Sequence, residues 1–251
     1  RGKIIVGDSA GDPSALAIGS NGTILKSDGT DVSWGTVSAG PTHKEGGTNF
    51  TNSIMIGDNA TGTLSSANSN TGLGVDVFAD LTSGNNNVAI GKSALPTNTT
   101  GSNNTAIGSS ALLANSTGNT NTAVGALALD ANTTGSDNVA VGKSALSANT
   151  TGNYSVAIGA LALSANTTGQ NVAIGQAAMI ANTTGTGNVA IGTYDDSALQ
   201  PLKANTTGNQ NVAIGTGALS ANTTANSNTA VGYKALTSNT TGTQNNAFGA
   251  A

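Results

Sequence analysis

Asn138-Val139-Ala140-Val141-Gly142-Lys143-Ser144-Ala145-Leu146-Ser147-Ala148-Asn149-Thr150-Thr151-Gly152 is one unit of a repeat, and its spacing decides the fold. The glycine that ends its first five residues recurs as Gly57, Gly74, Gly91, Gly108, Gly125, Gly142, Gly159, Gly175, Gly192, Gly215, Gly232 and Gly249. Nine of the eleven gaps are 17 residues, and the others are 16 (Gly159 to Gly175) and 23 (Gly192 to Gly215). A fixed period shorter than helical repeats need predicts one coil of a parallel β-solenoid or β-roll per repeat. Residues 53–251 then make about 12 stacked coils, a rod of roughly 55 Å at about 4.8 Å per coil.

Residues 138–142 and their equivalents alternate with period two, the signature of a strand. Val172 and Ile174 fall on one face, and Asn171, Ala173 and Gly175 on the other. A leucine four residues past each glycine (Leu95, Leu146, Leu219, with Phe78 and Met179 as variants) supplies the opposing wall. The Asn-Thr-Thr-Gly block reads as a turn, because Asn and Gly both tolerate φ > 0. Stacking sets each asparagine above the next, so Asn138, Asn171, Asn188 and Asn211 are expected to form an amide ladder. Ala140, Ala173, Ala190 and Ala213 form a file of small residues, which lets backbones approach closely. One 17-residue coil has few large side chains to bury, so several chains are expected to share a core. A trimer is expected, with a lone solenoid as the alternative. Either face of the strand can look inward; the assignment adopted is Val, Ile and Leu inside and Ala at the interface between chains.

With 35 glycines, 3% aromatic and 8% charged residues the chain cannot build an ordinary globular core. Disorder is excluded by Val, Ile and Leu that recur in register. Residues 82–251 hold four lysines against four aspartates, so the net charge of −4 lies wholly in residues 1–81. A neutral shaft has no means of holding phosphate backbones, which excludes nucleic acid as a partner. The lack of cysteine leaves the redox compartment open and agrees with an extracellular location that needs no disulfides. No run of about 18 apolar residues and no signal peptide is visible. The chain starts at Arg1 without methionine and stops at Ala251 partway through a coil, so the natural polypeptide is expected to continue past residue 251.

The Asn-Val-Ala-Ile-Gly strings resemble the head repeats of trimeric autotransporter adhesins with YadA-like heads, over roughly residues 53–251. They depart from those heads in period, which is usually a few residues shorter there, and in the added Ala-Leu and Asn-Thr-Thr-Gly half. The longer form resembles the shaft repeats of phage tail fibres and of bacterial surface fibres that end in a self-cleaving chaperone. The resemblance implies homotrimers, a left-handed parallel β-roll and attachment to surfaces. Residues 1–35 read as short strands joined by Gly, Asp and Asn turns, and resemble a phage tail-fibre module whose strands interleave around a threefold axis. Trp34, the only tryptophan, is expected to pack at that axis rather than stack on a sugar. Residues 36–52, with Pro41, Gly46 and Gly47, read as a linker.

Catalytic chemistry finds little footing. The only histidine, His43, sits beside Lys44 and Glu45 as a solvated loop residue would. Asp195 and Asp196 are adjacent and diverge if strand-like. Calcium-binding nonapeptide repeats need an Asp per turn, which the shaft lacks. No catalytic residue, metal or cofactor is therefore expected. Ice binding, a remote alternative, needs Thr-x-Thr on one strand face, whereas Thr133-Thr134 and Thr150-Thr151 are adjacent and lie in turns. Asn-Thr-Thr is also a glycosylation acceptor pattern, present for example at Asn98, Asn132 and Asn149, but turn chemistry explains it equally well.

The period breaks outward at residues 193–203, where six residues are added. Aligning Ala198-Leu199 with the usual Ala-Leu pair puts three extra residues on each side. Insertions in repeat arrays bulge from one face, so Tyr194, Asp195, Asp196 and Lys203 are the candidate surface-contact residues. The reading is a non-catalytic, all-β, homotrimeric fibre, extracellular on a virion or cell. Its partners would be itself and a host-cell or surface receptor, with a glycan among the candidates. The alternatives are a bacterial adhesin head that itself binds matrix or glycans, and a fibre whose catalytic part lies outside this stretch.

Overall fold

The structure is a computed structural model that describes residues 66–193 and 199–250 in full, and before them the backbone of six strands with the side chains of Ile54 and Ile56. The chain divides into two units, Arg1–Thr42 and His43–Ala251. In the first, β1 (Ile4–Gly7) pairs antiparallel with β2 (Pro13–Leu16), and β3 (Thr23–Ser27) with β4 (Val32–Thr36). Leu25 stands opposite Trp34 in the second pair. The expectations for Trp34 and His43 concern side chains outside the described residues.

The second unit is all-β. One 13-stranded sheet runs from β5 (Thr42–Gly47) and β6 (Phe50–Gly57) through β7 (Thr71–Leu73), β8 (Val88–Ile90), β9 (Thr105–Ile107), β10 (Thr122–Val124), β11 (Val139–Val141), β12 (Val156–Ile158), β13 (Val172–Ile174), β14 (Val189–Ile191), β15 (Val212–Ile214), β16 (Thr229–Val231) and β17 (Asn246–Phe248). The stretch read as a linker thus contributes a strand at the end of this sheet. From β6 to β17 every pairing is parallel and in register, as where Val139 faces Val156 and Ala140 faces Ala157. The strands β7 to β17 bound ten full turns of a β-solenoid, against the 12 coils expected from residue 53 onward. Residues 58–65, between β6 and the first of these turns, lie outside the described residues.

A 17-residue loop closes because its corners adopt left-handed backbone. In the coil of β11 these are Asp137 (φ 60), Gly142 (φ 129), Ser144 (φ 55) and Leu146 (φ 52). A left-handed leucine costs roughly 1–2 kcal/mol, and burying it whole returns about 1.5–3 kcal/mol. Burial wins: the equivalents Leu95, Leu112, Leu129, Leu146, Leu163 and Leu219 are all fully buried. Positive φ had been expected in the Asn-Thr-Thr-Gly turns, and there the structure differs. Gly135 is not left-handed, and is glycine because a Cβ would run into Asn132 Oδ1 and the carbonyl of Gly152 in the next coil.

The strand faces are also the reverse of the assignment adopted from sequence. Ala140, Ala157, Ala173, Ala190 and Ala213 are fully buried inside the coil, while the Val and Ile on either side of them are half-buried or exposed on the outside. Leucine is inside as expected. The reason is volume. A coil this short holds one large side chain per turn, the leucine or its Met179 variant, apart from the first turn, which holds Phe78 and Leu81. Opposite that side chain the strand has room for a methyl group, since an interior already at close packing cannot take a second branched residue without strain.

Candidate functional site

Two asparagine ladders run inside the solenoid. The first stands at the start of each strand. Asn121 Nδ2 donates to Asn104 Oδ1 (3.2 Å) and to the Gly135 carbonyl (2.8 Å), and Asn138 Nδ2 to Asn121 Oδ1 (3.1 Å) and the Gly152 carbonyl (2.8 Å). Asn188 and Asn211 continue it, with Nδ2 bonds to Asn171 Oδ1 (3.2 Å) and Asn188 Oδ1 (3.1 Å). The second ladder is the turn asparagine. Asn132 Nδ2 reaches Asn115 Oδ1 and the Gly135 carbonyl, each at 2.9 Å, and Asn149 Nδ2 reaches Asn132 Oδ1 at 2.9 Å. Both are fully buried. A buried amide is tolerated when its hydrogens find acceptors, and here the stack provides them turn after turn. The Asn-Thr-Thr acceptor pattern is therefore structural in the folded chain, because Asn98, Asn132 and Asn149 point their amide nitrogens inward.

The long coil keeps its register. Val189 pairs with Val212, and Asn205 Nδ2 donates to Asn182 Oδ1 (2.8 Å) across 23 residues. The position of the usual Ala-Leu pair is taken by Pro201 and Leu202 and not by Ala198 and Leu199. Met179 N donates to the Pro201 carbonyl (3.2 Å), Leu202 N to that of Ala218 (3.0 Å), and Leu202 is fully buried with φ 49. All six extra residues thus fall between Gly192 and Pro201. Lys203 follows the core leucine as Ser147 does, so it belongs to the regular coil and not to the insertion. Tyr194, Asp195 and Asp196 lie outside the described residues.

The outer face of the sheet is apolar and continuous. One file holds Val88, Val139, Val156, Val172, Val189 and Val212, with threonine in β9, β10 and β16; beside it runs Ile90, Ile107, Val124, Val141, Ile158, Ile174, Ile191, Ile214 and Val231. Ile107, Ile158 and Ile214 are 37–38% exposed. From β8 to β16 this strip is about 38 Å long.

Both ladders break at the one coil of 16 residues. Ser155 stands where the strand-leading asparagine should be, accepting no amide from the coil above at better than 3.5 Å (Asn171 N). Asn166 Nδ2 turns to the Thr168 carbonyl, and Asn149 Oδ1, buried, is left without a donor. The missing residue is the one after the turn glycine: Gly152-Asn153-Tyr154-Ser155 in one coil becomes Gly169-Gln170-Asn171 in the next. The gap opens a surface groove of about 390 Å³, lined by polar residues that include Thr151, Asn153, Thr167 and Gln170, with Tyr154 at its edge, 62% exposed. The signal in the sequence is the 16-residue gap from Gly159 to Gly175 taken together with Tyr154.

Among the described residues no group of three His, Asp or Glu lies close enough to hold a metal ion, and no helix is long and apolar enough to cross a membrane. No family model, curated protein or solved structure matches the chain.

Proposed function

We propose that the chain is the shaft of a non-catalytic, homotrimeric fibre that works outside the cell, extending from a virion or cell and attaching to a surface. The observation that carries this reading is the outer Val/Ile strip. A solenoid that already closes its own core has no need of branched aliphatics outside, and a strip some 38 Å long and two residues wide exceeds the scattered exposure normal for a monomer. Parallel, self-complementary files of this kind suit copies of the same chain packed side by side. Three copies follow from the resemblance to adhesin-head and tail-fibre repeats, as does surface attachment. The neutral shaft agrees with a partner other than nucleic acid.

Light scattering on the purified chain tests the assembly: three chains of 24.1 kDa are expected. A folded monomer at micromolar concentration contradicts it. Attachment is read from retention of labelled chain on candidate cells, and the reading fails if no cell surface retains it. A second reading, an adhesin head that itself binds glycans, is favoured by the groove at the short coil.

A further inference from the structure

We propose that the groove between the coils of β12 and β13 is a binding site for a neutral saccharide, with the Tyr154 ring stacking on a sugar face. The proposal rests on the attachment reading and gives it a place and a ligand class. Three observations converge on it. The first is Tyr154 itself. In the other described coils its position is held by Ser, Asn, Thr, Asp, Gln or Gly, at φ between 56 and 69. Left-handed backbone suits asparagine and penalises bulky residues, so the fold alone gives no reason for a tyrosine there. Among the described residues its side chain makes no hydrogen bond or ring contact. An exposed ring beside a polar groove is the arrangement that binds the apolar face of a sugar.

The second is the groove. Its volume of about 390 Å³ falls in the range of small-ligand sites, and none of its nine lining residues is charged. Asn153 offers its Nδ2, its Oδ1 being taken by Ser136 N at 2.6 Å, and Gln170 offers both ends of its amide. Thr151 adds a hydroxyl. Amides and hydroxyls match sugar hydroxyls as donor and acceptor at once. The third is the cost of building it. Forming the groove turns Asn166 Nδ2 away from the turn ladder and leaves Asn149 Oδ1 buried without a donor, a defect found in none of the other turn asparagines among the described residues. Local defects that the stack could remove by adding one residue point to use.

The test uses the full chain and two variants built from its own repeats. Tyr154→Asn installs the residue that Asn86 and Asn103 place there, and a serine inserted between Gly169 and Gln170 restores the 17-residue spacing and fills the groove. Both should fold and assemble as the parent does. The probes are an array of neutral oligosaccharides and, in solution, glucose, galactose and N-acetylglucosamine followed by saturation-transfer NMR. The parent is expected to bind at least one, and each variant to bind it roughly tenfold more weakly. The proposal is overturned if the parent binds none of these probes, or if either variant binds as well as the parent. Cell retention separates the two readings. Parent and Tyr154→Asn chains retained equally would sink the groove and leave attachment standing, whereas a parent that no cell retains sinks attachment.

Discussion

Asn132→Ala removes one rung from the turn ladder. The substitution deletes three hydrogen bonds of 2.9 Å, two given to Asn115 Oδ1 and the Gly135 carbonyl and one received from Asn149 Nδ2. The groups left behind differ. The Gly135 carbonyl keeps its bond from Asn121 Nδ2 (2.8 Å). Asn115 Oδ1 has no other donor, and one hydrogen of Asn149 Nδ2 has no other acceptor, while both residues are fully buried. Two stranded polar groups at about 1–3 kcal/mol each give a loss of roughly 2–6 kcal/mol, before any contribution from the cavity. Urea denaturation followed by far-UV circular dichroism reads the loss, and amide exchange should place it in the coils of β10 to β12, since a solenoid transmits damage to its nearest neighbours. Lys143→Ala, exposed on the same coil, should change stability by less than about 0.5 kcal/mol. An Asn132→Ala effect as small as that of Lys143→Ala would show that the ladders are ornament.

Ala140→Leu should destabilise the chain by about 1–3 kcal/mol or more, because the coil interior is full. Val139→Thr, a residue that β9 and β10 already carry at this place, should leave the fold of each chain within about 0.5 kcal/mol and weaken association. Denaturation and light scattering on the pair check both. Burial raises the Asp130 carboxyl pKa above its ordinary value, against opposing bonds from the backbone N–H groups of Asp130 and Ala131, and its Oδ1 has no partner. A raised folded value means that stability is greatest with the group protonated and falls as pH rises through that value. Asp130→Ser, the residue of the next two coils, should therefore raise the thermal midpoint at pH 7, with the gain closing towards acid pH. A gain that is the same at all pH values would contradict this. Removing residues 194–199 sets Leu202 four residues after Gly192 and restores the period. Calorimetry should find the transition little changed, and failure to fold would mean that the insertion is part of the core.

Period, strand position and the inward leucine were legible because each recurs at a fixed offset from the marker glycine. Which strand face looks inward was not. Alternation at Val139, Ala140 and Val141 defines two faces but not the distance between opposite walls, and that distance decides whether a methyl or a branched chain fits opposite Leu146. The insertion was misaligned for another reason. Ala198-Leu199 matches the repeat by residue type, but the core leucine must also stand three residues before the turn asparagine, as Leu146 does before Asn149. Leu202 meets that condition before Asn205, and the fold obeys the spacing. The left-handed corner at Leu146 left no trace in residue type, since burial there outweighs backbone preference. The groove could be sensed only by reading the short repeat and Tyr154 together.

The central claim is that alanine, leucine and asparagine fill each coil while valine and isoleucine face outward onto other copies. Thiol modification of two single-cysteine variants, Ala140→Cys and Val141→Cys, tests it most directly, because the chain has no cysteine of its own. In the folded protein the Val141→Cys thiol should be modified, by maleimide on a free chain or by an interchain disulfide in the assembled fibre. The Ala140→Cys thiol should stay inert until denaturant is added. Rapid modification at position 140 with protection at 141 would put the branched side chains inside the coil and contradict the account.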